Sequence, residues 1–160
     1  ADASAMADFG TALLSREFDQ ALAASGAASA EWGAAVSRQR SRKTWTRILD
    51  GLWRDALRLR DHNRCRKCGA TEHLQAAHIH SRKFRSTRWW TENGVLLCAG
   101  CHMWSHHNPT SFTRWLRGQI GEDMLTILEQ AAARPQFITD SWLADMEQQL
   151  TKETKRWGAN

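Results

Sequence analysis

The chain has 160 residues, 42% hydrophobic and 24% charged, a globular composition that argues against gross disorder and against a coiled coil. No stretch approaches the roughly 20 consecutive apolar residues of a membrane span. The N-terminus shows no basic region followed by an apolar run, so the expectation is a soluble, cytoplasmic domain with an appendage. The net charge of +5 hides an uneven distribution: residues 1–37 carry one base and five acids, residues 38–88 fifteen bases and four acids, and the remainder a net of −2. Such a basic block suits a polyanion-binding face, because clustered Lys and Arg gain by releasing phosphate counterions; a merely solvated basic surface is the alternative on charge alone.

In chain order, residues 1–37 form an Ala-rich N-terminal appendage, exemplified by Ala21-Leu22-Ala23-Ala24-Ser25-Gly26. Alanine favours helix, but too few large apolar residues are present to anchor one. Residues 38–61 form a basic amphipathic helix. Trp45, Ile48, Leu49, Leu52, Trp53, Ala56 and Leu57 recur at steps of three and four, which puts them on one stripe. That stripe is expected to pack on the module that follows, with Arg47, Arg54 and Arg58 outward. Within residues 62–109 the helical period breaks. Leu74–His80 and Gly94–Cys98 read as short strands, with Asn93-Gly94 as a turn signal, and the run from His102 reads as a helix with His102 and His106 on one face. Residues 110–160 return to helix. Phe112, Trp115, Leu116 and Ile120 make one stripe, which Met124, Leu125 and Leu128 continue. Pro135 then breaks the chain before a final helix carrying Trp142, Leu143, Met146 and Leu150.

Four cysteines punctuate the middle region as Cys65-x-x-Cys68 and Cys98-x-x-Cys101, with 29 residues between the pairs. In a chain with no export signal, two such pairs read as a metal site rather than as disulfides. Four thiolates at about 2.3 Å would hold one tetrahedral zinc ion, closed to substrate and therefore structural.

The interleaving of these knuckles with His78, Asn93 and His102 carries a resemblance. The stretch Asp61–Pro109 resembles the HNH endonucleases, most closely phage-type members, through Cys65-x-x-Cys68, Ala77-His78-Ile79, Glu92-Asn93-Gly94-Val95-Leu96-Leu97 and Cys98-x-x-Cys101-His102. The resemblance implies an α+β, mostly α fold, with a small ββα-metal, treble-clef-like core around structural zinc, flanked by N- and C-terminal helices. It implies metal-dependent hydrolysis of DNA phosphodiesters, leaving 5′-phosphate and 3′-hydroxyl ends, in a bacterial host cytoplasm. His78 would be the general base, as a neutral imidazole with a pKa near 6.5 suits that work. Asn93 would orient it. His102 and His106 would hold a divalent cation, Mg²⁺, Mn²⁺, Ni²⁺ or Zn²⁺.

One departure stands out: many family members place an acidic residue or histidine directly before the catalytic histidine, where this chain has Ala77. His80 could supply the missing ligand, His78 could itself bind metal, or the site could be weak or lost. Arg82, Lys83, Arg85 and Arg88 are the candidates for clamping the DNA backbone, with Arg38, Arg40, Arg42 and Lys43 weaker ones. Trp89, Trp90 and Trp104 read as core rather than as base-stacking platforms, and His73 and His107 as surface. DNA, including branched or nicked forms, is the expected partner, with low sequence specificity; RNA stays open, as does a non-catalytic, zinc-stabilised nucleic-acid-binding module.

Overall fold

The computed structural model describes residues 40–159, and from Ser41 onward the chain forms one compact unit. The Ala-rich appendage 1–37 and Arg38 lie outside the described residues. The unit is mostly helical with a single two-stranded antiparallel sheet.

Helix α1 spans Arg42–Arg60. The Ser41 hydroxyl accepts from the Thr44 N–H at 3.1 Å, satisfying one of the unpaired donors at the helix start. His62 and Asn63 then adopt left-handed φ of 52° and 50°, which ends the helix where the periodicity stops. Its buried face is Trp45, Leu49, Trp53, Ala56 and Leu57, as the sequence spacing requires. The partner of that face differs from the expectation. Most of the stripe packs on Leu143, Met146 and Leu150 of the last helix, α5 (Asp140–Gly158). Only its C-terminal part reaches the sheet. A 19-residue helix buries its whole stripe only against a partner of similar length, and α5 is the one helix of that length among the described residues.

Strands β1 (Leu74–His78) and β2 (Gly94–Cys98) pair with Ala77 opposite Val95 and His78 opposite Gly94. The strand stops at His78 rather than His80. The Asn93 side chain takes both backbone groups of His80, accepting from its N–H at 2.7 Å and donating to its carbonyl at 3.1 Å, which removes them from the ladder. Strand alternation sends Ala77 into a second apolar cluster with Val95, Leu97, Phe112 and Leu116. His78 is turned to the other side, toward α1. Gly94 lies so close to α1 that a Cβ there would sit 2.5 Å from both Leu57 Cδ1 and Trp53 Cζ2.

Helix α2 (Ala99–His107) follows β2 directly, then α3 (Pro109–Ile120) and α4 (Glu122–Ala133). The tail therefore holds three helices, not two. Gly121, at φ 82°, is a position that a residue with Cβ would resist, and it turns the chain between α3 and α4. Trp89 is buried in the α1–α5 core, and Trp104 meets Phe112 edge-on. Both are packing residues, as the sequence suggests.

Candidate metal centre and active-site cleft

The first knuckle is built by a tight turn after Cys65. Cys65 N–H donates to the Ala70 carbonyl and Gly69 N–H to the Cys65 carbonyl, both at 2.8 Å, and Gly69 takes φ +77°. The second begins at β2's end, where Cys98 caps α2 and its sulfur accepts from Cys101 N–H. A bond from Arg66 N–H to the Leu96 carbonyl, 2.9 Å, brings the knuckles together. All four sulfurs lie within 4.8 Å of one another, and no disulfide joins them. The donor set and its size suit a metal ion such as zinc. Burial disfavours the Cys65 thiolate, but hydrogen bonds from the backbones of Cys98, Cys68 and Lys67 outweigh it and bring the thiol down to about 7. The fold thus favours the thiolate at Cys65, the form that binds a metal. Cys101 is pushed upward by burial and by its sulfur neighbours.

Beneath the knuckles, Asp61 ties three elements together. Its carboxylate is buried and accepts from Arg60 at 2.8 Å, Arg66 at 3.4 Å and the Leu96 N–H at 2.9 Å. The end of α1, the first knuckle and β2 are fixed to one point.

Between the end of β1 and helices α2 and α3 lies a cleft of about 670 Å³ that gathers His78, Arg82, His102 and His106. Each histidine is prepared differently. His78 stacks on Trp53, with ring centroids 4.1 Å apart and planes 19° from parallel. Its Nε2 lies 3.0 Å from the Arg88 carbonyl. A carbonyl only accepts, so Nε2 carries the proton and Nδ1 keeps its lone pair. Burial first, then the positive charges of Arg88 and Arg82, hold His78 below the usual imidazole range, against the opposing Arg88 carbonyl and Asp50. It is therefore neutral at pH 7. His102 Nδ1 donates to Gln75 Oε1 at 2.7 Å, leaving Nε2 as its free acceptor. Burial and the neighbouring His106 keep His102 low as well. The His102 and His106 rings lie 4.8 Å apart, one helical turn from each other.

Other expected site residues are placed elsewhere. His80 does not share this cleft. It lines a separate cavity of about 250 Å³ beside Glu122 and Glu129, because Asn93 pins the backbone at 80 beyond the strand end. Ala77 is 2% exposed within the apolar cluster, so a ligand at that position would have to be buried among Val95, Phe112 and Leu116. Asn93 is fully buried and bonds His80 and the Thr87 carbonyl, the latter at 3.0 Å. It acts on the loop rather than touching His78. Arg88 departs from the clamp role: its guanidinium makes a two-pronged pair with Asp50, at 3.1 and 2.8 Å. Arg82, Lys83 and Arg85 are exposed on the loop, as are His73 and His107.

Nothing in the sequence marks Asp50, Trp53 and Gln75 as site residues. Asp50 also accepts from Trp89 Nε1 at 2.7 Å, so α1 fixes both the ring of His78, through Trp53, and its carbonyl partner, through Arg88. Asp50 stays ionised although burial opposes it, since bonds from Arg88 and Trp89 dominate. Their three-residue spacing on α1 puts Asp50 and Trp53 near one another, but nothing in the sequence tells which loop they meet.

No family model matches the chain, and neither does any curated protein or solved structure. Among the described residues, no helix is long and apolar enough to cross a membrane.

Proposed function

We propose that the chain is a metal-dependent endonuclease of the HNH type that nicks or cleaves DNA with low sequence specificity. The observation that carries this reading is the cleft in which a neutral His78, with Nε2 bonded and Nδ1 free, faces the same space as His102, His106 and Arg82. Helix α2, which lines the cleft, is capped by Cys98 and carries Cys101, so the four-thiol cluster, where zinc would be structural, anchors one of its walls.

In this reading His78 Nδ1 takes a proton from water, which attacks phosphorus in line with the departing 3′ oxygen. The products are a 5′-phosphate and a 3′-hydroxyl. The Arg88 carbonyl supports the positive ring that forms, and the Asp50 carboxylate behind it favours that charge. His102, through Nε2, and His106 would hold a divalent cation, whose chemistry is to neutralise charge on the phosphate and the leaving oxygen. No acidic residue is among those lining the cleft, and a donor set of imidazoles suits Zn²⁺ or Ni²⁺ better than Mg²⁺ or Mn²⁺. Arg82, Lys83 and Arg85 would grip flanking phosphates.

The lack of a carboxylate in the cleft and the apolar burial of Ala77 favour a second reading, a zinc-stabilised module that binds nucleic acid without cutting it. A supercoiled-plasmid assay across Mg²⁺, Mn²⁺, Ni²⁺ and Zn²⁺ separates the two. Nicking that depends on the metal and disappears in His78→Ala, with DNA affinity retained, is the expected result. Intact plasmid with every metal, alongside a native gel shift, would replace the nuclease by the binding module.

A further inference from the structure

Helix α1 presents a face that the cleft does not use. At about 100° and 1.5 Å per residue, Lys43, Arg47 and Arg54 fall within about 40° of arc and spread over about 17 Å. All three are exposed, and no ion pair among the described residues neutralises them. A solvated helix face ordinarily mixes signs, with acids three or four positions from bases. Here Asp50 occupies that spacing relative to both Arg47 and Arg54, yet it is turned to Arg88 and Trp89. The only other acid on the helix, Asp55, is rotated about 100° from Arg54. The ridge thus keeps its full positive charge.

The ridge also joins the cleft. The Asp50–Arg88 pair seats the loop with the exposed Arg82, Lys83 and Arg85 directly against α1, and Trp53, on the same helix, stacks on His78. Arg88 in turn bonds the Arg82 carbonyl through its guanidinium and His78 through its own carbonyl, so ridge, loop and cleft adjoin through this one residue.

We propose that Lys43, Arg47 and Arg54 hold successive backbone phosphates of duplex DNA whose scissile bond lies in the His78 cleft. The proposal rests on the nuclease reading above. The ridge is as long as about five base-pair steps of duplex at roughly 3.4 Å of axis per step, so the enzyme engages duplex well beyond the bond it cuts, by charge and without reading bases.

The test measures affinity for a 30-bp duplex by fluorescence anisotropy from 50 to 200 mM KCl, with no divalent cation added. Each phosphate contact contributes about 0.9 to the slope of log K against log salt. The combined Lys43→Gln, Arg47→Gln, Arg54→Gln variant is expected to have a slope shallower by about 2–3, and Arg47→Lys with Arg54→Lys to keep the native slope. A control that removes the same charge from the exposed Arg134, Lys152 and Lys155 should leave the slope as it was. An unchanged slope in the ridge variant, or an equal fall in the control, overturns the proposal while leaving the nuclease standing, because the native chain still binds and cuts. A native chain with no salt-dependent duplex binding overturns both.

Discussion

The molecule joins two regions that are held together by different physics. The α1–α5 pair is an apolar zipper: Trp45, Leu49 and Trp53 meet Leu143, Met146 and Leu150, and each buried side chain contributes on the order of 1.5–3 kcal/mol by leaving water. The region from Cys65 to His107 has two five-residue strands and few large buried side chains. It relies on four thiols and on the buried polar groups of Asp61 and Asn93. A hydrophobic zipper tolerates shifts of its contacts, whereas thiols around a metal and fully bonded carboxylate and amide groups demand one geometry. The cleft draws its histidines from the second kind of structure, and α1 of the first kind stands behind one of them, through the stack of Trp53 on His78.

The largest expected effect separates the regions outright. Removing the metal by chelation under reducing conditions, or replacing Cys98 by Ser, withdraws binding energy that reaches roughly 10–16 kcal/mol in structural zinc peptides. Loss of the sheet with all four thiols reactive, while much of the far-UV helical signal persists, is the expected outcome. Simultaneous loss of the whole helical signal would show that the zipper cannot stand without the cluster, which breaks the comparison.

A cavity in the zipper is expected to act in the opposite sense. Leu143→Ala should cost about 2–5 kcal/mol, read from urea unfolding. Metal content and thiol protection should stay native. Coupled loss of metal would show that Leu143 supports the cluster as well as α1.

The smallest effect concerns the place where the regions touch. His78 has its folded pKa below the unfolded value of about 6.5, so the unfolded chain takes up more protons as pH falls. The stability that this contributes is complete above about 6.5 and is lost as pH drops toward the folded pKa. Between pH 7.5 and 5.5 the native thermal midpoint should therefore fall further than that of His78→Gln. Equal falls would mean that burial against α1 does not hold the ring neutral.

Much of this was legible in the residues. The α1 stripe, its end near Arg60, the second strand, the pairing of the cysteines and the His102–His106 turn are all local, set by periods of two and 3.6 residues or by spacings of two and four. The failures are equally instructive. The sequence pattern carries β1 two residues too far, since the side chain that takes the His80 backbone comes from position 93. Arg88 looked like a free cation because its partner lies 38 residues earlier in the chain.

The sequence by itself determined which residues are apolar, thiol or imidazole and at what period they recur, and hence the helices, the knuckles and the order of the candidate site residues. Only the tertiary structure decided that α5 covers α1, that Ala77 faces an apolar cluster while His78 faces Trp53, and that Asp50 claims Arg88. The physical reason is that burial and ion pairing depend on distance in space, and two positions decades apart in sequence become neighbours only when every intervening element has been packed.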